Sequence, residues 1–345
     1  MTSLASSQTP AVEASPRRAN RLRLGVSVVA ASIAAGLLAS LVLGAVELSL
    51  RDVLGVFTGE AAETTSRIVL DARLPRALCA VLAGCNLAVA GVLLQSVTRN
   101  PLADPGLIGI TAGAGMAATI VLAVLPDMAA MLPVAAFIGA MVSAVFVYGV
   151  SWRPGGGASP VRMILAGVAV NAVLGAIIGL LITAFADRIP AVMFWTTGSF
   201  NGRGWTHLWL MLPYSIAGMA LALLLHRSMR VLELGDDAAS TMGVRVERTR
   251  LIAFAAASLL AGSAASVAGL VGFVGLVVPH LVRLVLGTNR YVLPVSAFAG
   301  AAVLLWSDLL ARTVLAPSEL PVGVITGLIG GPYFIYLLYR SGWLR

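Results

Sequence analysis

The sequence predicts an all-α membrane protein whose chain crosses the bilayer ten times. Three observations carry that prediction. First, 59% of the residues are hydrophobic and only 11% are charged, whereas a soluble domain carries about 25% charged residues. Second, apolar runs close to the roughly 20 residues of one helical crossing recur along the whole chain. Third, arginines concentrate in alternate loops, which is the pattern of loops on the cytoplasmic side.

The elements follow in order. Residues 1–23 are rich in Ser, Ala and Pro and end in Arg17, Arg18, Arg21 and Arg23, the composition of a disordered basic cytoplasmic tail. The membrane domain takes residues 24–345. Its first span, 24–46, is too long for the core of a signal peptide. Residues 47–72 carry Glu47, Asp52, Glu60, Glu63 and Asp71 and belong outside. The second span, 74–96, returns inward to Asn100–Gly106, which reads NPLADPG. Two prolines in seven residues must break the helix there, because proline lacks an N–H and blocks the preceding turn. The third span, 107–125, is rich in Gly, Ala and Thr, which let helices approach closely in lipid. The fourth, 129–150, ends at the Gly-rich inner loop Trp152–Arg162. The fifth, 163–186, leads to an outer segment with Phe194, Trp195, Phe200 and Trp205, residues suited to an interfacial belt and a short surface helix. The sixth, 206–225, comes back to the longest inner loop, about 226–250. The seventh (251–270), a short eighth (271–287), the ninth (294–310) and the tenth (322–339) complete the set. Both termini then lie inside, with sixteen arginines in inner segments and seven in outer ones.

The chemistry available is narrow. All 23 basic residues are arginine. A P-loop needs a lysine to reach its phosphates, so this chain does not hydrolyse nucleotide by that route. The basic balance is a topology signal and does not indicate nucleic acid. Cys79 and Cys85 point in different directions on one span and read as small buried residues. His207, His226 and His280 have no ligand-like spacing, so neither a metal nor another cofactor is expected.

Four constellations stand out. The NPLADPG break lies between two spans, so it forms either part of a pore or gate, or a simple cytoplasmic hairpin. In the inner loop, Gly235 and Gly243 bound a short helix that Asp236 or Asp237 could cap. Exposed Ala238, Ala239 and Met242 would suit docking to a soluble partner; the alternative is a solvated charged loop. Arg73, Arg76 and Arg312 fall on the outer face, where they could grip carboxylates of a docking protein or anchor to headgroups. Asp308 and Arg312, four apart on one helix face, read as a structural pair.

Six ordered blocks resemble the permease family of ABC importers for ferric siderophores, haem and cobalamin, the FecCD type. They are Arg73-Leu74-Pro75-Arg76 with the downstream G-x-x-L-Q and NPLADPG pattern, residues 165–171, 194–200, 234–244, 272–283 and 319–334. The resemblance implies a type II ABC importer permease fold in a bacterial cytoplasmic membrane. It implies a homodimer or paired heterodimer, two cytoplasmic ATP-binding subunits, an extracytoplasmic substrate-binding protein, and membrane lipid around the whole. By position it assigns Arg73, Arg76 and Arg312 to binding-protein docking and Asn100 and Leu102 to a cytoplasmic gate. It assigns Gly235, Asp236, Asp237, Ala238 and Gly243 to ATPase coupling. An iron–siderophore ligand is expected, with haem or cobalamin as alternatives. A stand-alone secondary carrier is the rival of another class. It would need a carboxylate near mid-membrane, and Asp308 sits close to the end of its span.

Overall fold

A computed structural model describes residues 16–340 except 45, 155–156 and 288–289. Helix α1 (Pro16–Val42) is followed by two short helices, α2 (Leu50–Thr58) and α3 (Glu63–Arg67). A π-helical turn, Ile68–Arg73, leads without interruption into α4 (Leu74–Thr98). After the break come α5 (Ile110–Val124), α6 (Leu132–Ser151), a two-stranded hairpin of β1 (Trp152–Arg153) and β2 (Gly157–Ala158), and α7 (Pro160–Ala184). The remainder is α8 (Ile189–Thr196), α9 (Trp205–Leu232), α10 (Asp236–Thr241), α11 (Val246–Ala268), α12 (Val274–Leu286), α13 (Val292–Thr313) and α14 (Val322–Arg340). Among the described residues, seven helical segments are long and apolar enough to cross a membrane, and α5, α12 and α14 are shorter apolar helices. Each of the ten expected spans has its helix.

Helix α4 is the axis of the bundle and packs against α13, α11, α9 and α12. Its sequence explains why it can sit there. Ala77, Ala80, Ala83, Gly84, Ala88, Ala90 and Gly91 keep its surface small. A methyl group on Gly84 would collide with the backbone of Gly300 on α13, and one on Gly91 with Gly275 on α12. Neighbouring helices therefore meet α4 backbone to backbone, the geometry that packs helices well in lipid. Asn86 donates from Nδ2 to Ser215 Oγ (2.6 Å) on α9 and Ser263 Oγ (3.1 Å) on α11, tying three helices together in the core. By contrast α7, as apolar as α4, is left almost uncovered by the rest of the chain.

Some expectations change. Residues 1–15 of the expected tail lie outside the described residues, and α1 already begins at Pro16. Between α1 and α4 the chain forms α2, α3 and the π-helical turn, which hydropathy did not reveal. Ser49 and Asp52 do form a capping box there, Ser49 Oγ accepting from the Asp52 N–H (3.1 Å) while Asp52 accepts from the Ser49 N–H (2.9 Å). The expected aromatic belt is divided. Phe194 is exposed, but Trp195 and Phe200 are buried in the core. Cys79 is buried as expected, Cys85 is half-buried, and both are free thiols.

Candidate functional site

The structure gathers the singled-out residues at the two ends of α4. At one end, α4 stops where Arg99 turns into the left-handed region (φ 48°), and regular helix resumes at Ile110. Two side chains shape the break between them. Asn100 Oδ1 accepts from the Leu102 N–H (2.9 Å), and Asp104 Oδ1 accepts from the Gly106 N–H (2.8 Å). Carbonyls freed by the break need donors. Asn171 on α7 donates to Gly106 O (2.8 Å), and Ser143 on α6 donates to Gly109 O (2.7 Å). Gln95 of α4 donates to Gly275 O (3.2 Å) and Leu276 O (3.3 Å), fastening the break to α12. Protein thus covers the irregular backbone, as it must at membrane depth. Asn171→Leu is expected to leave the Gly106 carbonyl without this donor, at a cost of about 1–3 kcal/mol. A lower thermal midpoint with faster amide exchange around residues 104–109 would register it.

Beside the break sits α10, six residues long and bounded by left-handed glycines, Gly235 (φ 112°) and Gly243 (φ 80°). Gly235 is the N-cap, so neither aspartate caps the helix. Asp237 is exposed in the first turn, where the helix dipole favours it. Asp236 instead accepts from Arg250 of α11 (2.9 Å) and faces Arg99 at 3.6 Å. Arg250, itself buried, also donates to Ala158 O in the hairpin (2.9 Å). Met242 is exposed, Ala238 half-buried and Ala239 fully buried, so the expected exposed face holds only in part. Just before α10, Glu233 accepts from Ser96 Oγ (2.6 Å). Arg283 of α12 donates to Gln95 Oε1 and lies 4.0 Å from Glu233. Two ties, Ser96 to Glu233 at the end of α9 and Arg99 to Asp236 of α10, therefore join the segment entering α10 to the end of α4. Sequence spacing could not supply these partners, which lie more than 130 residues apart.

At the other end of α4, Arg73 and Arg312 are buried and Arg76 is half-buried. Arg73 is 7% and Arg312 8% exposed. Arg73 donates to Leu41 O (2.6 Å), Val42 O (2.8 Å) and Val46 O, and Arg312 to Ser40 O (2.7 Å). They thereby satisfy carbonyls that the last turn of α1 would leave orphaned. The expected Asp308–Arg312 pair is replaced by another. Arg76 clasps Asp308 (2.8 Å) through one side of its fork and Glu319 (3.0 Å) through the other. Arg73, Arg76, Arg312 and Glu319 line a cavity of about 440 Å³ together with Asp71 and Arg203. Arg203, in the loop before α9, was missed at the sequence level. Burial pushes its guanidinium below the usual value, and its hydrogen-bond contact is His207 Nε2 (3.3 Å).

This architecture is that of a multi-pass ABC transporter permease. A solved structure of a metal-chelate type ABC transporter in an inward-facing conformation matches it with a TM-score of 0.80 and 27% identity, covering 92% of this chain and 99% of that one. The chain belongs to the FecCD transport family, which matches residues 32–340. It is 40% identical to the hemin transport system permease protein HmuU of Yersinia pestis, over 93% of this chain and 96% of the relative. It is 43% identical to the ferric enterobactin transport system permease protein FepD of Escherichia coli, over 88% and 91%.

Proposed function

We propose that this chain is the membrane-spanning subunit that passes an iron chelate of the siderophore class into the cytoplasm. Separate ATP-binding subunits seat at the α10 end, against Gly235, Asp236, Asp237, Ala238 and Gly243. Asn100 and Leu102, in the break, form the cytoplasmic gate. An extracytoplasmic binding protein docks at the opposite end, over the cavity ringed by Arg73, Arg76 and Arg312. A second permease, a copy or a homologue, covers the bare face of α7. The assembly lies in a bacterial cytoplasmic membrane with both termini inside, in keeping with the arginine bias.

One observation carries this reading: the end of α4 is tied to Asp236 of α10 and to Glu233, three residues before it. A push on α10 then moves the residues that precede the break. A two-state element biased by a partner is what a power stroke requires. The hemin permease relative supports a second ligand within the same chelate class. Proteoliposomes holding the permease, its ATP-binding subunits and its binding protein test the proposal. They should accumulate a ferric siderophore only when ATP is supplied on the α10 side, with haem as the competing ligand. Uptake by the permease alone under a proton or sodium gradient would mark a secondary carrier and overturn it.

A further inference from the structure

Helix α1 is fastened to the bundle along one half only. From Ser32 onward it lies against α13. Trp306 Nε1–H donates to Ser32 Oγ (3.1 Å), Gly36 packs on Leu305, and Arg312 donates to Ser40 O (2.7 Å). From Leu24 to Ala35, by contrast, no residue is buried. Toward its start α1 therefore parts from α12 and α13, and a wedge of about 150 Å³ opens between the three helices. Its walls are apolar throughout, with Gly25 and Val29 from α1, Leu281 and Val285 from α12, and Val295 and Ala299 from α13. An apolar cavity of that size stays dry and admits a guest the size of benzene. A methyl group on Gly25 would touch no atom of the chain, so the slot has room there.

The mouth of the wedge is basic. Arg18 and Arg21 precede Gly25 by seven and four residues, on the same stripe of α1. Arg290 is exposed just before α13 begins. Neither α1 nor α12 contains a carboxylate, and α13 has none before Asp308. An apolar slot with arginines at its mouth and no acid in its walls is complementary to one kind of amphiphile. Inorganic phosphate would leave the slot empty, and a neutral lipid would leave the arginines unmatched. We propose that the wedge between α1, α12 and α13 binds an anionic phospholipid, with an acyl chain in the slot and the phosphate at the mouth marked by Arg18, Arg21 and Arg290. Arginine forks suit phosphate oxygens, and basic residues at a membrane surface attract acidic lipid. The lipid closes the loose half of α1 onto the bundle, as α13 closes the other half. That it comes from the cytoplasmic leaflet rests on the orientation proposed above, whereas the site itself does not.

The test uses the whole permease in phosphatidylcholine nanodiscs at fixed ionic strength, with phosphatidylglycerol replacing a rising fraction of the lipid. The thermal midpoint should rise with that fraction and saturate. Arg290→Gln should raise the half-saturating fraction about fivefold, and adding Arg18→Gln and Arg21→Gln should raise it further. Gly25→Leu fills the slot with the chain's own side chain and favours the helix. Its midpoint in pure phosphatidylcholine should be no lower than wild type, and the response to phosphatidylglycerol should be lost. Ala299→Leu fills the slot from α13 and repeats the test on a second helix. A wild-type response in both filled variants would show that the arginines attract acidic lipid without a slot, and would overturn the site. A flat wild-type series, an unchanged half-saturation in the triple arginine variant, or an equal rise on adding inorganic phosphate to pure phosphatidylcholine discs would overturn the anionic lipid. A wrong orientation would leave all these results unchanged and would appear separately, in the accessibility of α10.

Discussion

Arg76→Gln is expected to destabilise the permease by about 3–5 kcal/mol, the usual cost of removing one partner from a buried ion pair. Asp308 is 2% exposed and would lose the guanidinium that faces it. Glu319, in the loop before α14, would lose the same anchor. That loop is held from both sides, because Leu320 N–H also donates to Ala311 O of α13 (2.8 Å). Loss of Arg76 therefore frees the connection between α13 and α14 as well as leaving buried Asp308 without its donors. Thermal unfolding in nanodiscs should show a large drop, and Asp308→Asn in the Arg76→Gln background should recover much of it. A double charge reversal at Arg73 and Arg76 removes the caps on α1 together with the grip on Asp308, so it misfolds the permease.

Asp236→Arg is the second variant with a large expected effect. It places a cation between Arg99 and Arg250, where a carboxylate now serves both. Arg250 is 2% exposed and would lose a charged hydrogen-bond partner, worth about 1.5–3 kcal/mol. Asp236 itself is 40% exposed, so water takes up part of that loss. A net change of about 1–2 kcal/mol corresponds to a factor of roughly 5–30. The expected readout is a fall of that size in iron-chelate transport per ATP hydrolysed, with ATPase activity retained and the permease folded. Asp236→Glu should restore most of the coupling. A ratio equal to wild type in Asp236→Arg would show that the tie from α10 to the end of α4 carries no motion.

What the sequence revealed depended on whether the signal was local. Long apolar runs located the spans, because a membrane helix satisfies its own backbone and needs only length and composition. The prolines at 101 and 105 located the break for an equally local reason, the missing N–H. Glycines at 235 and 243 bounded α10. Partnerships across the bundle were not legible. Asp308 was paired with Arg312 because they lie four apart, yet the fold brings Arg76 from 232 residues away to take it. Asn171 lay inside a quoted block, but nothing in that block shows that its amide holds the carbonyl of Gly106. Charge at a span end suggested exposure, and it missed that α1 ends in open carbonyls that an arginine can cap. Trp195 and Phe200 misled for a similar reason, since aromatic residues at a membrane edge serve either the interface or the core.

The most direct check on the whole account is the side of the membrane on which α10 lies, and what it touches there. Ser240 is exposed on α10, and the native thiols are buried or half-buried in the bundle. A Ser240→Cys permease treated with a membrane-impermeant thiol reagent should resist labelling in intact cells, react after the cytoplasmic face is opened, and cross-link to the ATP-hydrolysing subunit. Labelling of that cysteine from outside intact cells, or a cross-link pattern that contains no nucleotide-hydrolysing protein, would contradict the account.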